Sequence, residues 1–218
     1  ENGTMITTVV STPLLDTIVK KNGKKSLRVL TGFKYIGEKI RQFENKELDG
    51  TFLFGFEEAI GYLIGTHVRD KDAVVASMVI AEMATTFENN GSSIYNEIMK
   101  IYEKYGWRLE ITVPVTKKGK DGLEEIQKIM KSMRAKNHTE IAGIKVKEYR
   151  DYQKGIEGLP KADVIQMVLE DETYLTVRPS GTEPKIKFYI SVVDSDRKVA
   201  ENKLAKIEKE FINYAENL

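Results

Sequence analysis

Apolar positions along the chain switch between a strand-like and a helix-like period. Residues 5–10 are a short β-branched run, followed by Thr12-Pro13, an N-cap candidate with proline at the first helical position. Leu14, Leu15, Ile18 and Val19 then form a helical stripe that stops at Asn22-Gly23. Residues 26–30 read as a second strand ended by Thr31-Gly32, after which Tyr35, Ile36, Lys39 and Ile40 suit a short helix. Residues 51–54 are a third strand that runs straight into Gly55-Phe56-Glu57-Glu58. This alternation predicts an α/β domain of the α/β/α kind, with a mixed or mostly parallel sheet. Two more helices follow. One spans about residues 70–88, with Val74, Val75, Met78, Val79 and Met83 on one side, and one spans 92–105, with Gly106 as its stop.

From Trp107 the pattern changes. A strand over 108–115 and a polar turn at 117–122 lead into an amphipathic helix carrying Leu123, Ile126, Ile129, Met130 and Met133. Strands are expected over 144–149, 164–169 and 174–177, the last two joined as a hairpin across Glu170-Asp171-Glu172. Residues 185–193 alternate Ile186, Phe188, Ile190 and Val192 against polar or small neighbours, and 196–218 place Val199, Leu204, Ile207, Phe211 and Leu218 at helical spacing. The second domain therefore reads as a smaller α+β unit, an antiparallel sheet with two helices against it. The boundary falls near 105–110, giving domains of 1–106 and 107–218.

Composition narrows the classes. Of 218 residues, 34 are Lys or Arg and 33 are Asp or Glu, so the net charge is +1, and 41% are apolar. That suits a globular chain with a core and speaks against a dedicated nucleic-acid module, which carries a basic excess. With no cysteine, disulfides and thiolate chemistry are excluded, and two histidines, His67 and His138, make a His-built metal site improbable. No apolar run reaches the roughly 20 residues a membrane span needs, and Glu1-Asn2-Gly3-Thr4 has no leader character. The expectation is a cytoplasmic protein with neither nucleic-acid nor membrane partners. The absence of an initial Met suggests a fragment or processed piece.

Three segments could carry chemistry. Arg178-Pro179-Ser180-Gly181-Thr182-Glu183-Pro184-Lys185 lies between two strands and combines a guanidinium, two hydroxyls and a glycine that lets backbone N–H groups approach a ligand, a set suited to a phosphate monoester. A plain strand-connecting turn would use Pro, Ser and Gly as well. Gly55 to Tyr62 follows a predicted strand, at the place where α/β sheets bind ligands, and Glu57 and Glu58 there could accept hydrogen bonds from sugar hydroxyls or act as acid and base. Their apolar company, Phe54, Phe56, Ala59 and Ile60, separates them from an ordinary solvated pair. His67-Val68-Arg69-Asp70-Lys71-Asp72 precedes the long helix, where either aspartate could cap it and Lys71 could reach a phosphate or hydroxyl. The net +5 stretch from Pro114 to Arg150 reads as a solvated helix face, because no aromatics interleave along it.

Taken in order, these motifs resemble the α-D-phosphohexomutase family, and within it the phosphoglucomutase branch. Thr31-Gly32-Phe33-Lys34-Tyr35-Ile36-Gly37 resembles the sugar loop region of the family's third domain. Glu57-Glu58-Ala59 resembles its sugar-specificity loop, Lys71-Asp72 its Lys-Asp pair ahead of a helix, and Arg178 to Lys185 its fourth-domain phosphate loop. The resemblance spans nearly the whole chain but only the latter part of the family's four domains, and it implies a second domain like the TATA-box-binding protein. It also implies phosphoryl transfer between C1 and C6 of a hexose, glucose 1-phosphate to glucose 6-phosphate, through the bisphosphorylated sugar. The chain's partners would be a hexose phosphate and the missing N-terminal domains, which supply a phosphoserine and the Mg2+ ligands, so that the fragment alone is inactive and glucose 1,6-bisphosphate is the intermediate or activator. Thr31, Gly32, Glu57, Glu58 and Ala59 would line the sugar, Lys71 would assist charge or proton transfer, and Arg178, Ser180, Gly181 and Thr182 would hold the non-reacting phosphate. The family's specificity loop usually has serine where Ala59 stands, so one sugar hydrogen bond is lost or replaced. The phosphomannomutase, phosphopentomutase and glucose 1,6-bisphosphate synthase branches stay open, as does a non-catalytic phosphosugar-binding module. A first domain shortened at its start would leave an exposed sheet edge or apolar surface.

Overall fold

The structure is a computed structural model that describes residues 2–117, 119–156, 158–181 and 183–217. The chain divides into two compact units, Glu1–Tyr105 and Gly106–Leu218.

The first unit holds a four-stranded sheet. Strand β1 (Gly3–Thr8) pairs in parallel with β2 (Lys25–Val29) and with β3 (Thr51–Glu57), while β4 (Gly61–Ile64) adds an antiparallel edge beside β3. Helix α1 (Leu14–Lys21) joins β1 to β2, and α2 (Phe33–Glu44) joins β2 to β3. Two features depart from the sequence pattern. The α2 helix is a full 12 residues, and β4 was not anticipated. The Gly55–Tyr62 stretch is thus not a loop after a strand: β3 continues to Glu57, turns over three residues, and returns as β4. Four residues beginning with glycine are too short for period-2 alternation to stand out.

The α2 stripe of Phe33, Ile36, Ile40 and Phe43 closes a buried core with Ile6, Val29, Phe52 and Leu63. Helix α3 (Ala73–Asn89) packs along β4 and touches α4 (Ile94–Tyr105). The expected one-sided apolar face is not what α3 shows. Val74, Met78, Ile80 and Met83 are exposed and Ala76 is its buried residue among those described, because apolar side chains run nearly all the way round this helix.

The second unit is an antiparallel sheet in the order β5-β10-β9-β8-β7-β6: β5 (Trp107–Thr116), β6 (Glu140–Ile141), β7 (Ile144–Asp151), β8 (Ile165–Leu169), β9 (Tyr174–Pro179) and β10 (Lys185–Asp194). Pro114 sits in β5, an edge strand, where a missing N–H is tolerated. Helices α5 (Gly119–Ala135) and α6 (Arg197–Glu216) cover one face, over a core that includes Ile186, Phe188, Ile190 and Val192. Phe188 meets Phe211 edge to face at 5.7 Å. Leu123 and Val199, expected in the helix stripes, are about half exposed, and Leu218 lies outside the described residues. Nor is this unit the smaller one: it carries a longer sheet than the pattern suggested. His138 is buried between Tyr214 and the Met133 carbonyl, and that burial holds its pKa below the ordinary histidine value. The basic stretch is partly neutralised internally, Lys117 by Glu125 and Glu216, and Arg134 by Asp151 and Asp163. No helix among the described residues is long and apolar enough to cross a membrane.

Candidate functional site

In the first unit the candidate residues gather where the parallel strands end. Thr8 closes β1, Thr31-Gly32 follows β2, and Glu57 ends β3. Gly32, at φ 122°, is the N-cap of α2, a backbone geometry that disfavours any side chain. The turn it makes aims its N–H at Glu57 Oε1, 2.6 Å away. Glu57 is 8% exposed, and its other oxygen, Oε2, lies 4.0 Å from Lys71 Nζ. The Lys71 ammonium also binds Asp70 at 2.9 Å and stands over the Phe33 ring. Gly61 makes this possible: a Cβ there would fall 2.5 Å from Lys71 Cδ, so the lysine stem crosses β4 only over a glycine. Glu57 therefore has one oxygen fixed by backbone and one beside a cation.

Glu58, Ala59 and Ile60 form the exposed turn between β3 and β4. Glu58 Oε2 lies 3.1 Å from Thr8 Oγ1 and 3.4 Å from Ser11 Oγ. The Thr31 hydroxyl oxygen is buried with no hydrogen-bond partner among the described residues. Asp72 is the N-cap of α3, accepting from the Val74 and Val75 N–H groups, and His67 Nε2 lies 2.7 Å from its carboxylate. These contacts, the Val75 N–H first, hold the Asp72 carboxyl below its usual range, and the Lys71 contact does the same for Asp70. Both aspartates are thus engaged in capping and ion pairing.

In the second unit Arg178 lies near the end of β9, and the chain turns through Ser180 and Gly181 into β10. Thr182 lies outside the described residues. The loop is narrow: Ser180 N–H donates to the Lys185 carbonyl at 2.8 Å and Glu183 N–H donates to Ser180 Oγ at 3.3 Å. A Cβ on Gly181 would meet nothing within 4 Å, so the packing of the loop does not demand glycine there and the space above it is open. Lys185 pairs with Glu183 at 3.0 Å. Lys187, which sequence reasoning passed over, stands directly opposite Arg178 in the β9–β10 register. Neither has a carboxylate partner among the described residues, so two like charges face each other across the ladder. Its signal in the sequence was a lysine at a polar position of an alternating strand two residues beyond Lys185, but only the register shows what it opposes. Among the described residues no group of three or more His, Asp or Glu could hold a metal ion, and no chemical step is assigned to a metal on this chain.

The first unit thus places Thr31, Gly32 and Glu57 at the carboxyl ends of a parallel-containing sheet, where α/β folds bind ligands, and the second unit turns from β9 to β10 through Ser180 and Gly181. Residues 1–102 match phosphoglucomutase/phosphomannomutase alpha/beta/alpha domain III, and residues 110–208 match the C-terminal domain of the same family. The chain belongs to the phosphoglucomutase/phosphomannomutase family. Among curated relatives, a phosphoglucomutase from Staphylococcus aureus strain MRSA252 is 36% identical over 86% of this chain, and the match covers 35% of that relative. The chain thus spans about a third of the length of the curated relatives it matches. Its fold is shared with pp63/parafusin, a phosphoglucomutase from Paramecium in its open form (TM-score 0.68, 17% identity, 97% of this chain and 37% of that one). A phosphoglucomutase/phosphomannomutase family protein from Burkholderia thailandensis also shares it (TM-score 0.60, 14% identity, 97% and 37%).

Proposed function

We propose that this chain is the sugar- and phosphate-recognition part of a phosphoglucomutase, which interconverts glucose 1-phosphate and glucose 6-phosphate through a bisphosphorylated intermediate. The observation that carries the reading is the unpaired Arg178–Lys187 pair at the mouth of an open loop, which a dianionic phosphate would neutralise. Arg178 and Lys187 supply charge, and Ser180 and the Gly181 backbone supply hydrogen bonds; Thr182 completes the motif in sequence. Glu57 accepts a sugar hydroxyl through the oxygen that Gly32 leaves free, Thr31 and Gly32 line the sugar, and Ala59 leaves room where a hydroxyl would otherwise bond. Lys71 sits close enough to Glu57 to stabilise charge or pass a proton there. The phosphoryl donor and the Mg2+ ligands belong, in this reading, to the remaining domains of the polypeptide. The test is to assay the complete polypeptide and the isolated chain for glucose 1-phosphate to glucose 6-phosphate conversion. The complete polypeptide should turn over and the chain alone should not; an inactive complete polypeptide, or an active chain, overturns the reading.

A further inference from the structure

The hydroxyls under the specificity turn have no role in the reading above. Thr8 and Ser11 are 0% and 4% exposed, and their oxygens lie 2.8 Å apart beneath Glu58. Three contacts link Thr8, Ser11 and Glu58, yet two hydroxyls carry only two protons. The shorter Thr8 contact orders them: Ser11 donates to Thr8, and Thr8 donates to Glu58 Oε2. A carboxylate accepting from buried hydroxyls is anchored more firmly than one accepting from water, because the donors are already fixed.

The turn that carries these hydroxyls is itself pinned. Arg28 Nη1 donates to the carbonyls of Thr8 and Ser11 at 2.8 and 3.0 Å, and Nη2 donates to that of Thr12 at 3.0 Å. Its Nε is held in turn by Asp16 at 2.8 Å. On the other side of Glu58 the backbone is strained: Ile60, a β-branched residue, sits at φ 54° with its side chain 83% exposed. Such a conformation persists where the surroundings over-determine it. Here the β3–β4 ladder fixes one end of the turn and the Glu58 anchor fixes the other.

We infer that Glu58 is a positioning residue rather than a sugar ligand. The Arg28-pinned pair Thr8 and Ser11 clamps its carboxylate, and that clamp sets where the adjoining Glu57 presents its free oxygen to the sugar. The inference rests on the proposed role of Glu57 and adds a device that selects among hexose epimers by holding one acceptor in place.

The test is steady-state kinetics on the complete polypeptide with glucose 1-phosphate and mannose 1-phosphate. Thr8→Val and Ser11→Ala should each raise KM for glucose 1-phosphate up to about tenfold, the scale of one hydrogen bond, with kcat much less affected and the glucose-to-mannose preference reduced. Thr8→Ser, which keeps the hydroxyl, should recover most of the loss. Adding either change to Glu58→Ala should cost nothing further, since the clamp is already empty. If Thr8→Val does not fold, Ser11→Ala and the Glu58→Ala combination carry the same test. Glu57→Gln is the separating control. Unchanged turnover of Glu57→Gln removes the sugar-acceptor reading and the clamp with it. A Glu57→Gln loss beside Thr8→Val and Ser11→Ala variants that keep wild-type KM and sugar preference overturns the clamp alone, as does full additivity with Glu58→Ala.

Discussion

Glu57 and Arg178 occupy similar places, each at or near the end of a strand where the chain turns, and they are prepared for ligands in opposite ways. Glu57 is buried, bonded to the Gly32 N–H, and flanked by Lys71, so its position is settled before anything binds. Arg178 is half-buried and faces Lys187, with no opposite charge beside either among the described residues. A fixed acceptor costs little ordering entropy on binding and discriminates by geometry. An uncompensated cation pair raises the energy of the empty loop, and any suitable anion relieves it. Under the proposed function, selectivity belongs to the first region and binding strength to the second.

The largest expected effect comes from removing the guanidinium. Arg178→Ala should weaken hexose-phosphate affinity in the complete polypeptide by about 1.5 to 3 kcal/mol, read by titration calorimetry, and an unchanged affinity would take Arg178 out of the phosphate clamp. Lys187→Ala should cost less, about 1 kcal/mol of affinity, because an ammonium is a point charge without the planar fork. The same variant should not lower Tm, since it removes a like-charge pair from the ladder. A fall in Tm would mean that Lys187 has a structural partner and that the contrast with Glu57 is false. Salt comes next. Raising ionic strength from about 0.05 to 0.5 M shortens the screening length several-fold, so phosphate affinity should drop in the wild type and drop less in Arg178→Ala, with sugar preference constant in both.

Acid should produce the smallest effect and only on the first region. The Asp72 carboxyl is held below its ordinary value of 3.8 by its backbone and His67 contacts. A lowered folded-state pKa stabilises above the unfolded value and is lost as pH falls through the folded one, so the start of α3 should loosen only below about pH 3.8. Backbone NMR shifts of residues 72–76 that move instead well above pH 3.8 would show that the Asp72 cap is not the controlling group.

Much of this was legible in sequence because it is local. Arg178, Ser180 and Gly181 lie within four residues of one another, and Thr31-Gly32, Glu57-Glu58 and Lys71-Asp72 each sit beside a strand end or a helix start that hydrophobic period locates. What stayed hidden needed pairing across the chain. Lys187 acquires meaning only from the register that sets it against Arg178, and Thr8 meets Glu58 across fifty residues. The β4 strand was hidden by its length and its leading glycine, although that glycine is what admits the Lys71 stem. The misreading of α3 has a different origin. Apolar residues at helical spacing predict a helix, but when they run all round it no side is marked as buried.

That helix bears on how the chain breathes. Amide protons exchange with solvent when local structure opens, and opening is easy where few side chains are buried. In α2 the buried stripe from Phe33 to Phe43 must be unpacked before its amides exchange. In α3 only Ala76 is buried among the described residues, so deuterium should enter its middle turns orders of magnitude sooner than those of α2. Lys71, which reaches to within 4.0 Å of Glu57, and Asp72 lie just before this loosely held helix, so the segment that carries the lysine is tied to a readily opened part of its unit.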